Sequence, residues 1–119
     1  MGLDAKPENG NGRTEETKGQ GRGVLGFEGI LVRKFDLGQM VQTANSLAQL
    51  HPEDVLIALR RHSLGDWGDC GAEDWAENDV SLKEGGRLLS VYQDRLGTKF
   101  WVITESTRHY TTVLLPEDY

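Results

Sequence analysis

The stretch Gly86 to Leu115, GRLLSVYQDRLGTKFWVITESTRHYTTVLL, constrains the fold more than any other part of the chain, because its side chains alternate. From Arg87 to Gln93, Leu89 and Val91 fall on one side, with Leu88, Ser90 and Tyr92 on the other. From Phe100 to Thr104, Trp101 and Ile103 lie opposite Phe100, Val102 and Thr104. A period of two is that of a strand. Between the two runs, Asp94-Arg95-Leu96-Gly97-Thr98 is a short link whose Gly97 can take the positive φ that a hairpin loop requires. A third run, Tyr110 to Leu115, is rich in Thr, Val and Tyr, follows a turn at Ser106-Thr107-Arg108 and is stopped by Pro116. Three sequential antiparallel strands, a meander, is the simplest topology.

A sheet of this kind needs cover, and the preceding chain reads mainly as helix. Leu37 to Thr43 suits a fourth strand, and Thr43 is placed to cap a short helix through Leu50, with Leu47 and Leu50 inward. At His51-Pro52-Glu53-Asp54, Pro52 fits the first helical position, and the two acids complement the positive end of the helix dipole. That helix is predicted to run to about Ser63, with Val55, Leu56, Leu59 and His62 or Ser63 inward and Gly65 as its cap. Ala72 to Glu84 reads as a further helix, with Ala72, Trp75, Ala76 and Val80 inward, closed by Gly85-Gly86. The fold class is therefore α+β: a three- or four-stranded antiparallel sheet with two or three helices packed on one face.

Residues 1–23 do not belong to this pattern. They hold six glycines, no aromatic residue and only Met1, Leu3 and Ala5 as apolar side chains, too little to offset the entropy of ordering. A disordered tail followed by a single small domain over residues 24–119 is expected. Ile30 to Val32, in the glycine-interrupted segment after the tail, reads as a short strand or a segment packed across the core.

Charge narrows the partners. The tail is neutral, whereas Asp66 to Glu84 carries seven acids and one lysine, an excess equal to the whole net charge of −6. Such a chain repels a phosphate backbone, so direct nucleic-acid binding is not expected. The single cysteine, Cys70, permits no intrachain disulfide, and no apolar run is long enough to cross a bilayer or to form a secretory signal, so a cytoplasmic protein is expected.

Chemistry-bearing residues concentrate in the corner His62-Ser63-Leu64-Gly65-Asp66-Trp67-Gly68-Asp69. Trp67, between an acid and a glycine, reads as a recognition anchor or as a plug of the core, with Asp66 bonding backbone amides of the turn. His62 lies on the apolar side of its helix, where a base, a pH switch or a packed imidazole all fit. A metal site is not expected, since no CxxC, HxxxH or HxH occurs and Asp66 and Asp69 lack the other ligands of a calcium loop. Cys70, Ser63 and Ser106 lie in no nucleophile signature, and no glycine loop matches a phosphate cradle, so no catalytic residue and no cofactor are assigned. Glu105 and Arg108 are expected to form an ion pair that braces the last turn, or to face a partner.

The residues GDWG (Gly65 to Gly68), GRLLSVY (Gly86 to Tyr92), GTKFWVITE (Gly97 to Glu105), Arg108 and TTVLLPEDY (Thr111 to Tyr119) together resemble a family of small, uncharacterised bacterial proteins carried on plasmids, other mobile elements and chromosomes. The resemblance covers Phe35 to Tyr119 and adds Asn78, in the acidic helix, and Lys99 to the shared pattern. Some members carry a label linking them to type I restriction-modification subunits, but this chain has no methyltransferase or nuclease motif and is too short for such a domain.

Three functions are expected in order. The first is a non-enzymatic module that binds another protein, with His62, Asp66, Trp67, Asn78, Glu105 and Arg108 as candidate binding residues. The second is an acidic nucleic-acid mimic, with Asp69, Glu73, Asp74, Glu77 and Asp79 occupying the basic groove of a DNA- or RNA-handling enzyme. The third is a small hydrolytic or metal-assisted enzyme in which His62, Asp66 and His109 converge. An exposed edge strand would also allow self-association.

Overall fold

In the computed structural model, residues 32–119 are described, and the expectations for the tail and for residues 24–31 lie outside them. The elements run in the order β1 (Gln39–Gln42), α1 (Ala44–Gln49), α2 (Pro52–Ser63), α3 (Ala72–Glu84), β2 (Leu88–Gln93), β3 (Lys99–Thr104), β4 (Tyr110–Leu114) and a closing 3-10 turn (Pro116–Asp118). The local signals act as read. The Thr43 side chain accepts from the Ser46 amide, Pro52 opens α2, Gly85 ends α3 in the left-handed conformation, and Gly97 turns the β2–β3 hairpin at φ +84°. Asp118 ties the end of the chain to the start of α1, taking Thr43 Oγ1 at 2.6 Å and Asn45 Nδ2 at 2.7 Å.

The fold is α+β, but its sheet is mixed rather than antiparallel throughout. The order is β1-β4-β3-β2: the meander from β2 to β4 is antiparallel, and β1 joins the outer side of β4 in parallel. A hairpin forces antiparallel pairing, whereas β1 and β4 are separated by three helices and two strands, so their relative direction follows from the path of the whole chain. Four residues of β1 carry no local signal of it. Register is set where the Gln39 amide donates to His109 O at 2.8 Å and the Thr43 amide to Val113 O at 3.0 Å.

The core joins Leu50 to Val55 and Ala58 of α2 and to Tyr92, Phe100, Val102, Val113 and Leu115. Two sets of helix positions depart from the predicted faces. Leu47 and Leu56, placed inward by spacing, are 69% and 67% exposed. In α3, Ala72 and Ala76 are exposed, Trp75 is half-buried, Val80 is 55% exposed, and Asn78 is the one buried residue. α3 thus attaches to the domain in part through a polar side chain.

That attachment covers a sheet edge. The Asn78 side-chain amide donates to Leu89 O at 2.7 Å and accepts from Leu89 N at 3.0 Å, replacing a strand neighbour of β2. Two residues on, the loop after α2 continues the pairing: Val91 N donates to Trp67 O at 3.1 Å, and Asp69 N donates to Val91 O at 2.7 Å. An open row of backbone groups invites intermolecular pairing, and here those of Leu89 and Val91 are taken from within the chain.

Candidate functional site

The corner singled out by sequence is interior scaffold. Trp67 has no exposed surface, stacks on Phe35 with ring centroids 6.2 Å apart, meets His62 edge-on at 5.5 Å, and donates Nε1–H to Asp79 at 2.9 Å. Asp66 does bond the turn, accepting from the Gly68 amide at 3.1 Å. Its carboxylate also receives Arg61 Nε at 2.7 Å, and that guanidinium holds the carboxyl below its usual range. Because this pair lies at the surface, it adds little to stability.

His62 is the centre of a buried polar chain. Its Nδ1 lies 2.5 Å from Ser90 Oγ and its Nε2 2.9 Å from Thr104 Oγ1. Thr104 Oγ1 is 2.7 Å from Thr111 Oγ1, which donates to Leu37 O at 2.5 Å. The Leu37 carbonyl can only accept, so the direction of every bond follows: Thr111 donates to it, Thr104 to Thr111, and His62 Nε2–H to Thr104. Nδ1 then carries no proton and accepts from the Ser90 hydroxyl. A serine donating to a histidine is the arrangement of an activated nucleophile, but Ser90 and His62 both have zero exposure, so no substrate carbonyl reaches them. What the network does is fix one arrangement of α2 against β2, β3 and β4.

Burial, and secondarily the charge of Arg108, hold the His62 pKa near 3 instead of its ordinary 6.5. The unfolded chain therefore binds a proton that the folded chain refuses. Stability is complete above pH 6.5 and is lost progressively as pH falls toward 3. About 2 kcal/mol should be lost between pH 7 and pH 5, a window above the range in which Asp54 and Asp66, lowered by Arg95 and Arg61 respectively, begin to protonate. Urea midpoints at the two pH values test this, and His62→Gln, which keeps a donor and an acceptor but does not titrate, should flatten the difference.

Arg108 is also structural, and not by the predicted ion pair. It sits at φ +65°, and its guanidinium donates to the carbonyls of Gly86 at 2.6 Å, Glu105 at 3.0 Å and Ser81 at 3.2 Å, so it holds the backbone of Glu105 rather than its carboxylate. The Ser81 carbonyl belongs to the last turn of α3, where a cation complements the dipole. Glu105 is exposed.

The His62, Asp66 and His109 convergence does not form. Both His62 ring nitrogens are taken by hydroxyls, Asp66 is engaged by Arg61, and no cluster of three or more metal-ligating side chains occurs among the described residues. Cys70 is half-buried, its thiol is raised above its usual pKa by burial, and it donates to Leu89 O at 3.3 Å. In the acidic patch, Asp69, Glu73, Asp74 and Glu77 are exposed, while exposed Asp79 is committed to Trp67.

One surface feature escaped the sequence reading. Between β1, α1 and α2 lies a groove of about 380 Å³, lined by Met40, Val41, Leu47, Leu56, Leu59 and Val113 among others, with no charged residue among the described residues of its wall. Met40, Val41, Leu47 and Leu56 are exposed there. Apolar residues at helical spacing read as core, and spacing alone does not show that Leu47 and Leu56 face outward beside β1. No helix among the described residues is long and apolar enough to cross a membrane. Comparison with protein-family models, curated proteins and solved structures finds no match to this chain.

Proposed function

We propose that the protein is a non-enzymatic protein-interaction module whose contact surface is the apolar groove beside β1. The observation that carries this reading is the pairing of that uncharged, exposed apolar wall with an interior that has absorbed the polar residues chemistry would need. Exposed contiguous apolar surface is uncommon on a monomer and marks contact sites. On this reading α1 and α2 cover one face of the sheet and the groove is the end of that layer. The pattern shared with the small bacterial proteins then describes a common scaffold, GDWG closing the β2 edge and ITE with Arg108 tying the hairpin to α3, while binding is left to less patterned positions.

The test is co-purification from a bacterial lysate with the full chain and a Leu47→Glu/Leu56→Glu variant. Both positions lie outside the core, so the variant should keep its melting temperature within a few degrees and lose the partner. A partner retained by this variant but lost at high salt, or when Glu73, Asp74 and Glu77 are neutralised, would favour nucleic-acid mimicry instead. Asp79 must be left intact in that arm because it holds Trp67.

A further inference from the structure

The two edges of the sheet are finished differently. On β2 the outward backbone groups of Leu89 and Val91 are taken by Asn78, Trp67 and Asp69. On β1 the amide of Gln39 and that of Thr43, just past its end, point inward to β4, so by alternation the N–H and C=O of Met40 and Gln42 point away from the sheet. Among the described residues nothing pairs with them. β1 also lacks the devices that protect an edge: QMVQ has no lysine, no proline and no bulge, and Met40 and Val41 are exposed.

We infer that this edge pairs with its own copy, joining two chains antiparallel through β1 into a dimer with one continuous sheet of eight strands. The inference rests on the reading of the groove as the contact surface and names its occupant. Geometry allows the pairing with a twofold axis at Val41. Met40 then lies opposite Gln42 of the second copy and the reverse, both pairs having outward backbone groups, so four ladder bonds form. Val41 meets Val41 at a non-hydrogen-bonded position, where Cα atoms come within about 4.5 Å. Charge selects the same site: two copies of a chain with net charge −6 repel, and the uncharged groove wall is a face through which they can approach. Closure follows from the other edge. With β2 capped, pairing stops at two copies and does not propagate into a fibre.

Sedimentation velocity of the full chain at rising concentration, with Val41→Lys and Val41→Cys variants, tests the inference. The parent should move from 13.2 kDa toward twice that mass, and Val41→Lys, which sets two like charges face to face on the axis, should stay at 13.2 kDa and melt like the dilute, monomeric parent. Under mild oxidation Val41→Cys should cross-link to a dimer on a non-reducing gel, while the parent, whose Cys70 is half-buried, and Gln39→Cys should not. A parent that stays at 13.2 kDa to about 100 μM, well above the Kd of an ordinary specific contact, overturns the inference. So does a dimer that persists in Val41→Lys. If the parent is monomeric and the Leu47→Glu/Leu56→Glu variant still loses a lysate partner, the groove remains a contact site for a different protein; if both results are negative, the groove reading fails with it.

Discussion

Trp67→Ala should cost about 3–5 kcal/mol, a large part of the total stability of a small domain, and should leave a chain that is unfolded or close to its midpoint at 37 °C. The indole is fully buried between Phe35 and His62, and its N–H donates to Asp79, so truncation opens a cavity and removes that hydrogen bond. Trp67→Phe keeps most of the volume and should cost less. Urea denaturation followed by near-ultraviolet circular dichroism gives the values. A Trp67→Ala protein with an unchanged midpoint would contradict the placement of this residue in the core and return it to the surface as a binding anchor.

Gly68→Ala is the second large effect. Gly68 sits at φ +72°, and a Cβ there would lie 2.0 Å from Val91 O and 2.7 Å from Tyr92 Cδ1. The first of these atoms is backbone, in the strand edge that the loop closes, and it has no room to retreat. Left-handed strain and overpacking together should cost about 2–5 kcal/mol. Gly85→Ala separates the two terms, because Gly85 has φ +90° but nothing within 4 Å of its added Cβ, so it should show only the strain of about 1–2 kcal/mol. Equal losses at the two positions would remove the close approach of the loop to β2 from the explanation.

These two residues show where sequence reading succeeds and where it stops. The boundaries of α2, α3 and the meander were legible because Pro52, Gly85, Gly97 and the alternation of Leu88 to Thr104 act locally, each through its own backbone preference or period. The parallel direction of β1 was not, since no short-range contact encodes it. Ser90, Thr104 and Thr111 line the interior beside His62, and a polar residue can be buried only where a partner meets it, which is a property of the assembled sheet. Asn78 is the clearest case. In a helix of solvated acids only the resemblance singled it out, and as a binding residue, yet its amide spans the donor and acceptor of Leu89 as a strand would.

Leu47 and Leu56 failed in the opposite sense. Spacing placed them inward, but spacing shows only which residues share a helix face, not what lies against it, and among the described residues these two are left largely uncovered. A misassigned core residue of this kind is a place to look for a contact surface, because an exposed leucine beside an open strand edge has two reasons to find a partner: apolar area and unpaired backbone.

The most direct measurement is amide hydrogen exchange of the full chain, resolved by residue and taken at low and high protein concentration. The expected result is that Leu89 and Val91 exchange slowly at both, held by Asn78 and the Trp67 loop, while Met40 and Gln42 exchange quickly in dilute solution and slow as concentration rises. Fast exchange at Leu89 and Val91, or exchange at Met40 and Gln42 that is slow already in dilute solution, would contradict a sheet with one edge closed by its own chain and the other left open for a partner.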